Sequence, residues 1–401
     1  MFRLFIDSVQ HFIVLTWRII CPGRGAKNLR SAKRMISMLF FLPIFGTLQL
    51  IHWFGFLLDE LLFRGYRDVR INQPLFVVGT PRSGTTLLHR TLAQDEQFTT
   101  FSTWECLFAL SITERKFWLT AIKIDRLIGS PFARIVTLLT RVFTTQLEGI
   151  HSVSLSSSEE DYLSFSPILS CFILVLPFPF EESIWRMGYF DRDVKVKYKK
   201  RIMAWYKTCL QKHLYVHGTD KRLLSKNASF ASLLGSLDET FPDACYLCCM
   251  RDPLETLPSQ LSAIRPGLKL FGVEKLEEYF RDRFIDLFRY YYNNLISIQV
   301  SIPDKRTKFV DMALLQNDLY MTVTEAYVHL GLPLSQQHRL VLKDLDLESK
   351  SYQSLNRYSL NDFGLDCTEL ESSFSQVYAL YEFSRDSKLK RSRIRQNHHH
   401  L

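Results

Sequence analysis

An α/β fold, a parallel sheet flanked by helices and preceded by an apolar helical segment, is what this sequence predicts, and three observations carry the expectation. Short apolar runs bounded by turn residues recur at 75–78, 222–225, 244–250 and 308–312, with long helix-patterned stretches between them. The first of these runs ends in a tight polar loop, Thr80-Pro81-Arg82-Ser83-Gly84-Thr85-Thr86, that opens a helix. Upstream, residues 35–58, 24 in all, carry no charge.

In chain order, residues 2–20 are apolar but interrupted by Arg3, Asp7 and Arg18, with no small-residue cleavage site; they predict an amphipathic surface helix rather than a cleaved leader. The segment 35–58 is long enough to cross a bilayer. Pro43, Gln49 and His52 dilute it, and Pro43 is expected to break or kink a helix. A single span, an in-plane or re-entrant anchor and a buried core helix all remain compatible, and membrane association of one kind is expected. If the segment spans, the basic flank Arg24, Lys27, Arg30, Lys33 and Arg34 favours a cytosolic N-terminus. Residues 75–78 predict a buried strand and 83–93 the helix after it, while 98–104 is an irregular return. Helical patterning covers 117–147, 191–213 and 276–298. The chain therefore divides into a basic, apolar N-terminal region (1–70), an α/β domain (71–384) and a basic tail (385–401) that contains three consecutive histidines, a weak signal for a metal.

Charge narrows the partners. The net +9 is uneven: residues 1–34 hold seven Lys/Arg against one Asp (+6), 385–401 hold six against one (+5), so the stretch between them sums to −2. A near-neutral body argues against an extended nucleic-acid-binding face, and basic ends suit anionic lipid headgroups. Aromatics at 13%, with 31 Phe, suggest apolar surface as well as core. The eight cysteines are scattered; Cys245, Cys248 and Cys249 share one predicted strand and are too compact for a zinc site, so most are expected to be core thiols.

The loop after the first strand carries the first chemical signal. The Gly79-to-Gly84 spacing is that of a phosphate-binding loop, whose backbone amides and helix start face an anion. The lysine expected after Gly84 is replaced by Thr85, and positive charge appears at Arg82 instead. This P-loop-like element is suited to an anion other than a γ-phosphate with its magnesium. A second signal is Arg251-Asp252-Pro253 at the end of a strand with Ser259 eight residues on: an arginine and a hydroxyl placed there can clamp a phosphate.

Together, Pro81-Arg82-Ser83-Gly84-Thr85-Thr86, Arg251-Asp252-Pro253 and Ser259 resemble the sulfotransferases that use 3′-phosphoadenosine 5′-phosphosulfate (PAPS), above all the branch widespread in bacteria that includes membrane-anchored members. Thr103-Trp104-Glu105, His151 with Glu159-Glu160-Asp161, and Arg357-Tyr358-Ser359 agree with it, so that the resemblance runs from about 59 to 380. It implies that Thr80, Pro81, Arg82, Ser83, Gly84, Thr85 and Thr86 hold the 5′-phosphosulfate. It further implies that Arg251 and Ser259 hold the 3′-phosphate and that Lys226 stabilises the bridging oxygen as the sulfuryl group leaves. No metal is implied. For the general base, Glu105, His151 and the Glu159/Glu160 pair all stay open, and His89 reads as a packed histidine. Two departures stand out: Asn227-Ala228 follows the lysine, and Met312-Ala313 follows the last strand. The expected acceptor is a small-molecule, glycan or lipid hydroxyl or amine, with a catalytically silent membrane adaptor and a nucleotide kinase as alternatives.

Overall fold

A computed structural model describes residues 1–21, 31–131, 134, 158, 160–351 and 359–383. Its centre is a five-stranded, wholly parallel sheet in the order β2-β3-β1-β4-β5. The strands are β1 (Leu75–Gly79), β2 (Phe98–Thr99), β3 (Arg222–Lys226), β4 (Cys245–Met250) and β5 (Thr307–Asp311). Four match the predicted apolar runs. β2 was not expected: it is two residues long and depends on pairing with Arg222 and Leu223 rather than on an apolar pattern of its own. β1 and β4 are buried along their whole length, as strands covered on both faces must be. Phe76, Val78, Tyr246 and Cys248 enter one core, whereas Leu75, Val77, Leu247 and Cys249 enter the other.

The helices that matter to the site are α1 (Phe2–Ile20), α2 (Ala32–Leu62), α3 (Thr85–Leu92), α4 (Thr103–Phe108), α5 (Ile112–Leu127), α6 (Val196–His217), α7 (Leu234–Thr240), α8 (Pro253–Leu270) and α9 (Glu277–Ser301). The break expected at Pro43 does not occur, and α2 continues through it. Proline removes one backbone donor and crowds the preceding turn, a loss of roughly 3 kcal/mol in an isolated helix. Here the packing of α2 against the domain on both sides of Pro43 outweighs it.

That packing includes charge. Asp59, near the end of α2, is fully buried; it accepts from Lys212 Nζ on α6 (2.7 Å) and from the amides of Ile112 (2.9 Å) and Thr113 (2.8 Å) at the start of α5. One carboxylate therefore neutralises a buried lysine, caps a helix and fixes the junction of three helices. Replacing Asp59 with Ala leaves Lys212 buried without a counter-charge and two amides without an acceptor. The expected loss is about 3–5 kcal/mol in denaturant unfolding; a loss below about 1 kcal/mol would show that the junction does not depend on the pair.

Candidate active site

The register of the sheet decides which loops meet. Gly79 lies level with Cys249 and Val77 with Lys226, so the loop after β1, Arg251 after β4 and Lys226 at the end of β3 leave the sheet side by side at its carboxyl edge. The loop is tight. A Cβ on Gly79 would come within 2.5 Å of the Cys249 carbonyl oxygen and 2.7 Å of Ser83 Oγ. Ser83 Oγ donates to the Thr80 carbonyl (2.6 Å), and Arg82 and Gly84 both have positive φ, 70° and 90°. A left-handed arginine costs of order 1–3 kcal/mol and is found where the chain over-determines its shape. Gly84 precedes α3 without a side chain to cap it, and the first amides of a helix have no acceptor within it. A Cβ there would strike Met312.

Arg82 and Arg251 then join the two motifs across more than 160 residues of chain. Arg82 Nε donates to Ser259 Oγ (3.0 Å), and Arg251 Nη1 donates to the Arg82 carbonyl (3.1 Å) while its Nε pairs with Glu255 (2.7 Å). Tyr292 of α9 donates to the Arg251 carbonyl and shares a hydrogen bond with Thr256 (3.0 Å), which holds the turn after β4 from behind. On the other side of β1, Lys226 Nζ pairs with Glu160 Oε1 (2.6 Å). The edge therefore presents uncapped amides, two arginines, two serines and a lysine–carboxylate pair within one short stretch. These groups fit a donor with negative charge at two places.

The comparisons with known proteins decide the family. A profile of the sulfotransferase family matches residues 74–130 and 189–336, just over half of the chain. The chain belongs to the sulfotransferase family. It is 24% identical over 229 residues to the ω-hydroxy-β-dihydromenaquinone-9 sulfotransferases Stf3 of Mycobacterium bovis and Mycobacterium tuberculosis, covering 54% of this chain and 53% of theirs. The matched region thus spans about half the length of these curated relatives. Among solved structures, sulfotransferase STF9 of Mycobacterium avium aligns over 87% of this chain and 86% of its own, with a TM-score of 0.70 at 17% identity. Sulfotransferase STF1 of Mycobacterium tuberculosis aligns over 92% of both chains, with a TM-score of 0.70 at 19% identity. These two share its fold.

At this site the candidate general bases part company. Glu105 sits in a closed cluster of its own. Its Oε2 accepts from Ser102 N (2.9 Å) and Ser102 Oγ (2.7 Å) in a capping box, and its Oε1 meets His217 Nε2 (2.6 Å) and Arg115 Nε (3.2 Å). Burial alone would raise its pKa, but the hydrogen bond from His217 and the nearby His213 and Arg115 outweigh it and hold the carboxyl well below its usual range. A carboxylate so stabilised takes up a proton poorly. Donor atoms of Glu105, His213 and His217 lie within 4.8 Å of one another, a spacing a metal can use; the buried Arg115 guanidinium already supplies the positive charge at that carboxylate. His151 and Glu159 lie outside the described residues. His89 is buried, with Nε2 on Thr100 Oγ1 (2.8 Å); burial first, then the charges of Lys226 and Arg90, keep its imidazole neutral.

Asp161, which the sequence places in the acidic run without assigning it a role, is a further carboxylate beside the site. Asp161, beside Glu160, is buried and accepts from Tyr206 Oη (2.6 Å) and Ser225 Oγ (3.0 Å), while Ser225 directly precedes Lys226 in β3. Burial pushes Asp161 up to about 7, despite the opposing hydrogen bonds from Tyr206 and Ser225. Its proton is held more tightly in the folded chain than in the unfolded one. The stability this contributes is complete below the ordinary carboxylate range and is lost as pH rises through about 7. Melting temperature should therefore fall between pH 5 and pH 8 more steeply in the wild type than in Asp161→Asn. Parallel slopes for the two proteins would contradict this account.

Proposed function

We propose that this sulfotransferase transfers a sulfuryl group from PAPS to a hydroxyl of a lipid-like acceptor. The observation that carries the donor half is the convergence of the Thr80–Thr86 loop with Arg251 and Ser259. In this reading the loop amides and Arg82 take the 5′-phosphosulfate, and Arg251 with Ser259 takes the 3′-phosphate, the group that distinguishes this donor from ATP. Sulfuryl transfer, like phosphoryl transfer, requires in-line positioning and neutralised oxygens more than covalent help from the protein. Lys226 is the cation on the leaving side: it neutralises the bridging oxygen as the sulfur–oxygen bond to the phosphate breaks. Glu160 is the proton acceptor, since it is the described carboxylate that meets Lys226. It takes the acceptor hydroxyl's proton as the new oxygen–sulfur bond forms, and the products are a sulfate ester and adenosine 3′,5′-bisphosphate. Glu105 is a positioning residue that anchors α4 through Ser102 and His217.

The acceptor class rests on two supports. The curated relatives are named for an ω-hydroxy-β-dihydromenaquinone-9 substrate. In this chain, α1 and α2 expose long apolar surface and both pack on the segment Asp161–Ile168, which begins directly after Glu160. A membrane-resident hydroxyl is the acceptor such a neighbourhood suits.

Adenosine 3′,5′-bisphosphate should raise the melting temperature of the wild-type protein by several degrees at saturation, and Arg251→Ala should remove most of that shift. Greater stabilisation by ATP with magnesium than by the bisphosphate would favour a nucleotide kinase and overturn the donor assignment. Lys226→Met should keep the bisphosphate shift but lose transfer by at least about a hundredfold; comparable losses of binding and transfer would remove it from the leaving side.

A further inference from the structure

The apolar helix α2 is the part of the chain that length and composition would thread through a bilayer, being 31 residues long and roughly 46 Å at a normal helical rise. Its contacts say otherwise. At its start, Arg34 is buried and donates to the carbonyls of Pro177 (3.1 Å) and Phe271 (3.3 Å), Lys33 pairs with Glu274, and Ser37 donates to the Leu270 carbonyl (2.6 Å). Midway, His52 meets Glu114 (2.7 Å) and Trp53 Nε1 donates to the Pro167 carbonyl (3.1 Å). At its end, Asp59 holds Lys212. Arg34 and Asp59 are thus bonded to the same domain at opposite ends of the helix. A span would have to carry one of them across the hydrocarbon and break those bonds.

The helix is also inside out. Its polar residues Arg34, Gln49, His52 and Asp59 face the domain, whereas Leu39, Phe40, Ile44, Ile51 and Phe54 face outward. The neighbouring helices repeat the arrangement. On α1, Phe2, Ile6, Val9, Ile13, Trp17 and Ile20 form an exposed stripe at steps of three and four residues, while Asp7 pairs inward with Arg201 (2.8 Å) and Arg18 pairs with Glu181. On α5, Phe117, Ile124 and Leu127 are exposed, while Glu114 and Arg115 are buried. α2 packs against both α1 and α5. The exposed charged residues on these three helices are basic, Arg3, Arg18, Lys33, Lys116, Lys123 and Arg126, of which Arg18 and Lys33 are paired with Glu181 and Glu274, while the acids Asp7, Glu60 and Asp125 are half-buried.

We infer that α1, α2 and α5 form one in-plane platform that seats the protein on an anionic leaflet, with α2 lying in the interface and not crossing it. This rests on the membrane part of the proposed function and specifies its geometry. Apolar stripes of this size, turned outward beside basic side chains, have the composition of interfacial helices whose apolar face enters the headgroup boundary. A second protein copy would bring the same basic charges together, whereas acidic headgroups complement them. The platform also has a direct line to the chemistry. The 3-10 segment Asp161–Ile168, eight residues or roughly 16 Å long, runs from the Glu160–Lys226 pair to the helices α1 and α2 that contact it. A lipid hydroxyl lifted slightly from the leaflet enters the site from that side.

Two measurements on the full chain test this. The first is cell-free synthesis with sealed microsomes and protease added outside, using epitopes at the N-terminus and within the α/β domain. Both epitopes should share one fate; one cleaved and one protected would establish a span and overturn the proposal. The second is flotation with phosphatidylcholine vesicles with and without phosphatidylserine. The wild type should float with the anionic vesicles, and Phe40→Glu/Ile44→Glu/Phe54→Glu should lose about tenfold or more of the bound fraction. Ile13→Ser/Leu127→Ser, a milder change on the flanking helices, should weaken flotation in the same direction. The bisphosphate melting shift should persist in both variants, so that loss of the donor site is told apart from loss of the platform. Undiminished flotation of both variants would overturn the proposal. So would a wild type that stays with the soluble fraction as a dimer and becomes a monomer in the triple variant.

Discussion

The pairing of β3, β1 and β4 in parallel register is the constraint on which the candidate site depends. Because all three strands end at one edge, residues that are up to 177 positions apart in the chain come within hydrogen-bonding distance. The left-handed Arg82 and the absence of room for a Cβ at Gly79, against the Cys249 carbonyl of β4, are local consequences of the same constraint. A loop forced to reverse directly above an adjacent strand has its amides turned outward at the edge of the sheet. In the proposed reading such a loop takes an anion with little reorganisation, and preorganised charge is the larger part of group-transfer catalysis. Arg251 completes it by contributing its own carbonyl to Tyr292, so the clamp is braced from the helical layer as well as from the sheet.

Buried charge does a different task in the rest of the molecule. Asp59 with Lys212 and Glu105 with Arg115 each place an ion pair where three elements meet. Neither pair is a net source of much stability when compared with apolar packing, because desolvation offsets most of the attraction. What they provide is a unique arrangement: a helix that shifts by one residue leaves a buried charge alone. For α2 the pair Asp59–Lys212 adds to Arg34, Ser37, His52 and Trp53 in fixing the register of an outward-facing apolar helix against the domain. The carboxylates near the site follow the opposite logic. Glu160 keeps partial access to solvent and meets a lysine, whereas Asp161 is buried and held by two hydroxyls.

Much of the fold, and the two stretches that meet at the edge of the sheet, were legible from the chain, for reasons that differ by element. The loop 80–86 and the Arg251–Ser259 stretch are local: each places its chemistry within a few residues, so type and spacing carry the message. The four apolar strands are equally local, whereas β2 exists only through its partner and left no pattern to read. Glu105 shows the limit. Beside Trp104 at the start of a helix it stood open as a general base, and the three residues that enclose it, Arg115, His213 and His217, arrive from two other helices. Glu160 was visible only as one of an acidic pair, since nothing in the sequence ties it to Lys226, 66 residues away. Pro43 does not end the helix, because a local breaking tendency gives way to packing along α2.

In the proposed function the edge of β3, β1 and β4 is one sulfuryl-transfer site served by Lys226 and Glu160. Its most direct test is incubation of the vesicle-bound wild-type protein with labelled PAPS and a total membrane lipid extract, alongside Glu160→Gln. The account predicts a labelled sulfate ester in the organic phase with the wild type and a loss of about a hundredfold or more with Glu160→Gln at unchanged binding of the bisphosphate. Label incorporated equally by both proteins, or none by a wild type that binds the bisphosphate tightly, would contradict it.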